Sequence, residues 1–383
     1  MVDNVIILAG GSGTRLWPAS IQERPKQFFD PGTGRSLLQM TVQRAGEVAP
    51  KATIVIVTHH SQMERVLDDC LKLGTLRERI VILPEPEMRN TAPALGFAVA
   101  YLRDTGAATE TSLVLASDHL ITPVSDFATD VETADTLARE EYLVTFGVNP
   151  TRPEIGYGYI ESGDVHGGGY LVTSFREKPD AETAAAYLAA GNFYWNSGMF
   201  VFRNATFWGE LSQYEPGITS AFADVETLPY EQRRTALPVL NREGITVAWQ
   251  SSFLGQLYHS LPKISIDYAV MERSERRAMV ATAFRWNDIG SWDEMAQLTD
   301  DGIVGKPGAN SYTPRDGRPT QPAIQIESTG NYVYSELPVV LCGVEDLSVV
   351  VKNGRVLVAR RGQGQLVKDA VEALHAQGHD DLT

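Results

Sequence analysis

Residues 5–16 read Val5-Ile-Ile-Leu-Ala-Gly-Gly-Ser-Gly-Thr-Arg-Leu16. The apolar run at the start does not alternate with polar residues and ends at two glycines, which is typical of a buried parallel strand that enters a tight turn. Glycine lets the backbone approach a ligand closely, and the N–H groups of such a turn can face an anion. The stretch therefore predicts a strand and a phosphate-binding loop. The candidate loop residues are Gly10, Gly11, Ser12, Gly13 and Thr14.

Two cations accompany this loop, Arg15 and Lys26, and a polyphosphate could use both. The loop is not the dinucleotide fingerprint, because the third glycine is missing, and it is not a Walker loop, which needs Gly-Lys-Ser/Thr. On local physics alone, a glycine hairpin with surface cations remains an alternative.

Strand and helix patterns alternate beyond the loop, which favours a Rossmann-like doubly wound α/β sheet of mixed direction. The predicted strands are 53–58, 80–83, 113–116, 143–146, 157–161, 170–176 and 199–202. The predicted helices are 36–48, 63–71, 94–102, 127–139 and 182–190. All of these elements are assigned to one catalytic domain, residues 1–300.

The composition changes after this domain. Residues 302–322 are rich in Gly, Pro, Asn and Ser, which predicts a linker. Apolar runs then recur about every eight residues, near Ile324, Val333, Val340, Val349 and Val356. Residues 301–383 are therefore predicted to hold the linker, a small all-β unit and a terminal helix.

The chain has 383 residues and a formal charge of −15. This charge repels a polyanion, so nucleic acid is not an expected partner. No apolar run approaches the roughly 20 residues that span a bilayer, so no membrane association is expected, and Asp3 and Asn4 argue against a signal peptide. We expect a cytoplasmic protein. Cys70 and Cys342 have neither disulfide-framework nor zinc-site spacing.

Eight ordered motifs resemble those of the sugar-1-phosphate nucleotidyltransferases, most closely the branch that joins mannose 1-phosphate to GTP. The first contains the glycine loop and Pro25-Lys-Gln-Phe28. The others are Arg89-Asn-Thr-Ala-Pro93, Ser117-Asp-His119, Gly156-Tyr-Gly-Tyr-Ile160, Phe175-Arg-Glu-Lys-Pro179, Asn196-Ser-Gly198, Ser265-Ile-Asp-Tyr-Ala269 and Trp286-Asn-Asp-Ile-Gly-Ser-Trp292. The resemblance covers residues 1 to about 300 and, more loosely, the β unit, where it implies a short left-handed β-helix.

The resemblance implies that GTP and α-D-mannose 1-phosphate are converted into GDP-mannose and pyrophosphate with Mg²⁺ or another divalent cation. The catalytic residues would be Arg15, Lys26, Asp118, Lys178 and Asp288. A homodimer is expected, and apolar runs such as residues 349–351 offer a candidate surface.

Asp118 follows a predicted strand, so its carboxylate would lie at the carboxyl end of a parallel sheet, where ligands bind. Alone, it could equally cap the next helix. The resemblance pairs it with Asp288, and both match aspartates that hold a divalent ion. Two carboxylates suffice for Mg²⁺, which takes its other ligands from water and phosphates.

The resemblance also assigns the sugar-phosphate contacts. Lys178 matches a lysine that binds the phosphate, while Glu177, Asn196 and Gly158 match residues that contact the sugar. An extended strand would place Glu177 on the opposite face from Lys178, whereas a turn at Pro179 could bring both inward. A surface Glu–Lys pair is the alternative.

Guanine presents N–H donors, so its site needs an acceptor. Glu85 or Glu87 precedes the segment with Asn90 and Thr91, where the resemblance places the base-binding loop. Either glutamate could instead be solvated. His59 and His60 lack a carboxylate spacing that would indicate a metal site.

Three other functions compete with this interpretation. Another nucleotidyltransferase could join glucose 1-phosphate to UTP or dTTP. A fused isomerase is disfavoured, because only His375 and His379 occur after residue 300 and such a domain needs a His and Glu metal cluster. A non-catalytic sugar-nucleotide sensor is disfavoured by the presence of all five predicted catalytic residues.

Overall fold

A computed structural model describes residues 1–11, 13–226, 230–304 and 323–383. The contacts within the chain divide these residues into two compact units. The first unit comprises residues 1–10, 41–117 and 121–286, and the second comprises residues 11–40, 118–120 and 287–383. Neither unit is one continuous segment, whereas the sequence analysis divides the chain once, near residue 300. That single division stays a prediction.

The strands of the described residues are numbered in chain order. They are β1 (Asn4–Ala9), β2 (Thr53–His59), β3 (Ile80–Glu85), β4 (Thr111–Ala116), β5 (Leu120–Thr122), β6 (Leu143–Val148), β7 (Tyr159–His166), β8 (Gly169–Arg176), β9 (Phe193–Arg203), β10 (Val239–Arg242), β11 (Ile245–Ala248), β12 (Arg277–Ala281), β13 (Arg285–Asn287), β14 (Ala323–Ile326), β15 (Tyr332–Ser335), β16 (Val339–Cys342), β17 (Leu347–Lys352) and β18 (Arg355–Arg360).

The α-helices of the same residues are α1 (Leu37–Val48), α2 (Met63–Cys70), α3 (Thr91–Asp104), α4 (Val124–Arg139), α5 (Ala181–Ala190), α6 (Asn204–Tyr214), α7 (Pro216–Glu226), α8 (Tyr230–Ala236), α9 (Ser252–His259), α10 (Trp292–Asp300) and α11 (Leu366–Ala376). Short 3-10 turns include Thr14–Leu16 and Lys26–Phe28, and Asp267–Met271 is a π-helical turn.

Within the described ranges, eleven strands of the first unit form one sheet in the order β10-β11-β3-β2-β1-β4-β9-β6-β12-β8-β7. β1 pairs in parallel with β2 and β4, while β9 runs antiparallel to β4 and β6 and, near its start, to β7. β1 lies inside the sheet, and its apolar run is buried, as expected for a parallel strand whose faces are covered by packed elements such as α3. The predicted mixed α/β sheet is confirmed.

Local signals at the helix ends behave as the sequence predicts. The Ser36 hydroxyl accepts a hydrogen bond of 3.1 Å from the Gln39 N–H and caps α1. Gly191 ends α5 in the left-handed conformation, with φ 76°. Cys70 is fully buried on α2, so its predicted place in the core is confirmed.

β9 begins six residues before the predicted strand, because Asn196-Ser-Gly198 lies inside it rather than in a loop. Its register against β6 shifts between Thr145 and Gly147, which marks a β-bulge. Gly198 adopts φ 69° at this point. The predicted strand was too short, because Asn and Gly are residues typical of turns. In the structure, pairing with neighbouring strands keeps this segment in the sheet.

Three strands of this sheet were not predicted. β10 and β11 form an antiparallel hairpin at the edge of the sheet, and β10 is exposed along its whole length. β12 lies between β6 and β8, parallel to the first and antiparallel to the second. Their short apolar runs carry too little periodicity to separate a strand from an irregular segment.

In the second unit, the predicted β strands and terminal helix α11 are confirmed. β14 pairs in parallel with β16, and β15 pairs in parallel with β17. In each pair, a residue of the first strand faces a residue further along the chain, as Ala323 faces Val339. β18 closes the unit as an antiparallel neighbour of β17. The parallel pairing is that of a short β-helical coil, and its left-handed sense stays a prediction. Residues 305–322, most of the predicted linker, lie outside the described residues.

Residues 11–40 of the second unit pack on its late segments. The Trp292 indole donates to the Trp17 carbonyl at 2.9 Å, and the Trp17 indole donates to the Leu382 carbonyl at 2.7 Å. The Tyr334 hydroxyl donates to the Asp30 carbonyl at 3.1 Å. A core of Leu16, Phe29, Trp292, Tyr334 and Val350 lies beneath these bonds. The backbone that follows the glycine loop is therefore held by residues far along the chain.

Among the residues that the structure describes, no helix has both the length and the apolar character that a bilayer crossing requires.

Candidate active site

The predicted site residues occur in two groups, one in each unit. In the second unit, Thr14–Leu16 form a 3-10 turn that places Arg15 at the surface. Gly13 precedes this turn with φ 60°, and a Cβ atom there would overlap the Lys26 side chain. Glycine is therefore required on both conformational and steric grounds. Gly11 is exposed, and Gly10, in the first unit, is exposed as well. Ser12 lies outside the described residues.

Lys26 is buried and contacts both predicted metal ligands. Its ammonium lies 2.8 Å from Asp118 Oδ2 and donates a hydrogen bond to the backbone carbonyl of Asp288. Burial alone would raise the pKa of the Asp118 carboxyl, but the positive charges of Lys26 and His119 outweigh that effect and lower the pKa. Asp118 is therefore ionised at neutral pH. The Lys26 ammonium thus links the Asp118 side chain to the backbone of Asp288, 170 positions later in the sequence.

The backbone around Asp288 is held in an unusual conformation. Ile289 is fully buried and has φ 46°, which is rare for a β-branched residue. Its N–H donates to Asn287 Oδ1 at 2.6 Å, and the next N–H, of Gly290, donates to the Glu294 carboxylate. Such conformations persist only where the surroundings impose them, and they are concentrated at functional sites. The fixed backbone presents the Asp288 carbonyl to Lys26.

The carboxylates of Asp118 and Asp288 are hard oxygen donors, which suit a divalent cation such as Mg²⁺. Among the described residues, no group of three or more His, Cys, Asp or Glu side chains could hold a metal ion. A cation bound to both of these carboxylates would complete its coordination with water and phosphate oxygens. This donor set fits Mg²⁺, which needs few protein ligands.

In the first unit, Glu177 and Lys178 lie together. β8 ends at Arg176, and Lys178 has φ 48°, so the chain turns instead of continuing the strand. The Lys178 ammonium lies 2.9 Å from Glu177 Oε1. Of the two sequence alternatives, the structure has the turn. Gly158 faces the same carboxylate, because a Cβ atom at this position would overlap Glu177 Oε2.

Asn196 extends this group and brings in a residue that the sequence analysis did not assign. Its amide Nδ2 donates to Asp267 Oδ1 at 3.0 Å, and its backbone N–H donates to the Gly158 carbonyl at 2.8 Å. Burial and the charge of Glu177 raise the pKa of Asp267 to about 6. In the sequence, this residue is marked only by its place in the motif Ser265-Ile-Asp-Tyr-Ala269. We call Gly158, Glu177, Lys178, Asn196 and Asp267 the carboxylate cluster.

Glu85 and Glu87, the two candidate base acceptors, have different surroundings. Glu85 is buried at the end of β3 and accepts a hydrogen bond of 3.2 Å from the hydroxyl of Tyr258, which is fully buried. Burial raises the pKa of Glu85 to about 8, although the Tyr258 hydrogen bond acts in the opposite direction. Glu87 instead forms a 2.6 Å ion pair with Arg89 and lies 3.3 Å from His259 Nδ1. Glu85 is thus mostly protonated at pH 7. If it contacts the guanine base as predicted, it would do so as a neutral carboxylic acid.

Asn90 and Thr91 form the start of α3. Asn90 has φ 71°, and its Oδ1 accepts a hydrogen bond of 2.8 Å from the Thr91 N–H. The Thr91 hydroxyl accepts a 2.8 Å bond from the Ile266 N–H, next to Asp267 in the chain. These two predicted nucleotide-binding residues therefore also connect the loop after β3 to the carboxylate cluster.

Glu85→Gln is expected to stabilise the protein at alkaline pH but not at acid pH. The pKa of Glu85 is raised in the folded state, so the wild type loses stability as pH rises from the ordinary value of 4.5 to about 8. Glutamine does not titrate and avoids this loss. Urea unfolding of both proteins at pH 5 and pH 8 should show an advantage that grows by roughly 4 kcal/mol.

Glu132→Gln is the matched control, since Glu132 is exposed on α4. Its effect should be the same at both pH values. A stability difference between Glu85→Gln and wild type that does not change with pH would contradict the neutral state of Glu85.

The chain as a whole matches a known family. Residues 4–302 match the family model described as nucleotidyl transferase. The chain belongs to this family and is a nucleotidyltransferase, as the eight motifs indicate.

Similarity to individual proteins indicates the branch within the nucleotidyltransferase family. The chain is 36% identical over 381 residues to the xanthan biosynthesis protein XanB of Xanthomonas campestris, covering 99% of this chain and 74% of that protein. It is also 36% identical over 384 residues to a mannose-1-phosphate guanylyltransferase of Escherichia coli, covering 98% and 74%. A crystal structure of a Thermus thermophilus protein named mannose-1-phosphate geranyltransferase has a TM-score of 0.80 and 30% identity over 98% of this chain and 100% of that chain. The branch inferred from the motifs is confirmed.

Proposed function

We propose that this chain transfers GMP from GTP to α-D-mannose 1-phosphate, yielding GDP-mannose and pyrophosphate. The similarity to the Escherichia coli guanylyltransferase over 98% of this chain carries the choice of substrates. The ion pair of Lys26 with Asp118, beside the backbone of Asp288, supports the type of reaction, because charged groups held together suit polyphosphate chemistry.

The reaction does not require a nucleophile from the protein. A phosphate oxygen of mannose 1-phosphate attacks the α-phosphorus of GTP, the bond from that phosphorus to the bridging oxygen breaks, and pyrophosphate leaves with the bonding electrons. Catalysis then consists of positioning two anions and stabilising the charge that moves onto the leaving group. In-line displacement inverts the configuration at the α-phosphorus.

The cationic side chains have separate tasks in this scheme. Arg15, exposed at the end of the glycine loop, and Lys26 would stabilise the charge that develops on pyrophosphate. Lys178 would bind the phosphate of the sugar phosphate. In the structure its ammonium pairs with Glu177, and a phosphate dianion would compete for it. Glu177, Asn196 and Gly158 would contact the sugar, and the backbone of the glycine loop would contact GTP.

Asp118 and Asp288 would hold Mg²⁺ or another divalent cation. A cation at this place would neutralise phosphate oxygens that otherwise repel each other. The ion pair with Lys26 keeps Asp118 ionised and therefore ready to bind a cation.

We also propose that the enzyme acts in the cytoplasm as a homodimer. Both cysteines are free thiols. The surface predicted at residues 349–351 was wrong, because those side chains are buried in the core of the second unit, which instead exposes Ile324, Ile326 and Val340 of the β14 and β16 pair. Such a surface suits contact with a second copy.

The test is a product assay that combines four nucleoside triphosphates with mannose, glucose and N-acetylglucosamine 1-phosphates, with and without Mg²⁺. GTP with mannose 1-phosphate should give the highest kcat/KM, and chelation of the divalent cation should abolish turnover. A preference for glucose 1-phosphate with UTP or dTTP would replace this function by another in the family. A wild-type protein that binds these substrates but releases no pyrophosphate would instead indicate a sensor.

A further inference from the structure

The amide of Asn196 is fixed in one orientation by its neighbours. Its Oδ1 accepts from the Gly198 N–H at 3.1 Å, and the Thr145 hydroxyl lies 3.1 Å from the same oxygen. Because a backbone N–H can only donate, the oxygen must face Gly198, and the nitrogen must face Asp267 Oδ1, 3.0 Å away. Asn196 as a whole residue is only 9% exposed, so these bonds form largely away from bulk water.

This arrangement restricts what Asn196 can offer a ligand. The amide oxygen already has Gly198 and Thr145 as neighbours, while the amide nitrogen has two N–H groups, of which Asp267 takes one. Toward a sugar hydroxyl, Asn196 is therefore a donor. Without Asp267, the Asn196 amide nitrogen would lose the acceptor that holds one of its N–H groups and so sets the direction of the other.

Asp267 is itself held on both sides. It is the first residue of the π-helical turn Asp267–Met271, a type of turn that is rare and frequent at functional sites. The preceding N–H, of Ile266, donates to Thr91 Oγ1 at 2.8 Å, and Glu272, directly after the turn, accepts from the Glu177 N–H at 3.1 Å. The same turn thus positions the Asp267 carboxylate and the backbone of Glu177.

We propose that Asp267 is a positioning residue for the sugar subsite, which orients Asn196 so that its second amide N–H donates to a sugar hydroxyl. This inference rests on the proposed function, since it assumes that the carboxylate cluster binds a sugar phosphate. In this scheme the Asn196 amide contacts the sugar in addition to Glu177, and the Asp267 carboxylate contacts only the amide. The raised pKa of Asp267, to about 6, still leaves it mainly ionised at neutral pH and able to accept from Asn196.

The test compares Asp267→Ala, Asp267→Asn, Asn196→Ala and the double variant Asp267→Ala with Asn196→Ala. Asp267→Ala should raise the KM for mannose 1-phosphate about 10-fold or more, as expected for loss of a hydrogen bond to a charged group. The KM for GTP should stay within about twofold, because the amide serves the sugar. Asp267→Asn should recover most of the affinity, since an amide oxygen still accepts from Asn196.

The double variant separates positioning from independent binding. If Asp267 acts through Asn196, the double variant should bind mannose 1-phosphate no more weakly than Asn196→Ala alone, because coupled residues are not additive. Losses that multiply in the double variant, or an equal rise in the KM for GTP, would overturn the proposal.

Asp164→Ala is the matched control, as Asp164 is exposed on β7 of the same unit, and it should leave every constant unchanged. If the wild type prefers another sugar phosphate, the same variants are compared with that substrate, and the inference stands or fails on the double variant. A wild type that turns over no sugar phosphate would overturn the proposed function and this inference together, an outcome distinct from multiplied losses in an active enzyme.

Discussion

Asp288→Asn should lower kcat about 10²–10³-fold at saturating GTP and mannose 1-phosphate, a loss of the size seen when one preorganised electrostatic contact is removed. The substitution keeps the size of the side chain but removes the negative charge proposed to bind the divalent cation. Because the backbone carbonyl of residue 288 remains, the bond from Lys26 can persist, and the melting temperature should stay close to that of the wild type. Pyrophosphate release and thermal unfolding measure the two effects.

Asp301→Asn provides the comparison, because Asp301 is exposed at the end of α10 in the same unit. It should retain wild-type turnover. A folded Asp288→Asn protein with unchanged kcat would remove Asp288 from the proposed metal site and would leave Asp118 without its partner carboxylate.

Lys178→Ala should raise the KM for mannose 1-phosphate by about 10-fold to 100-fold, the range expected when a charge-assisted hydrogen bond is lost. The Lys178 side chain is 59% exposed, and its ion pair with Glu177 contributes little to folding at such a surface. The variant should therefore unfold like the wild type. Initial rates at varied mannose 1-phosphate and fixed GTP, and the reverse, separate the two constants.

Lys263→Ala removes an exposed lysine of the same unit and should change neither constant. The assignment of Lys178 to the sugar phosphate fails if its replacement alters the GTP constant alone.

The central sheet could be predicted because its strands are buried by neighbours on both sides. β1, β2 and β3 consist of apolar runs with little polar interruption, and such runs are distinctive in sequence. The helices between them have caps such as Ser36 that act within four residues of the chain. Patterns of this kind are local, so they can be interpreted before any tertiary contact is known.

Asn196 and Gly198 show where local patterns fail. Asparagine and glycine ordinarily indicate a turn, yet Asn196 pairs with Gly147 of β6 and the preceding residue pairs with β7, and the bulge absorbs the positive φ of Gly198. Lys178 is a second case. Its backbone is left-handed just before Pro179, and a lysine at this position does not indicate that conformation. Tertiary contacts decided both conformations.

The candidate site was predictable as a set of motifs but not as a set of contacts. The motif order supplied Asp118 and Asp288, whereas their meeting at Lys26 depends on the fold. Tyr258 lies 173 positions from Glu85, and no local signal joins them or anticipates the raised pKa. Asp267 was visible within a motif, but its bond to Asn196 gives it a role that spacing alone did not suggest.

The partners of the early backbone have a consequence for how the protein is made. Residues 11–40 contain Arg15 and Lys26, and their hydrogen-bonding partners include Trp292, Tyr334 and Leu382. A ribosome synthesises those partners 275 to 365 residues after the residues that they hold. A nascent chain therefore carries its glycine loop through the synthesis of all the intervening residues before the contacts that support the loop exist.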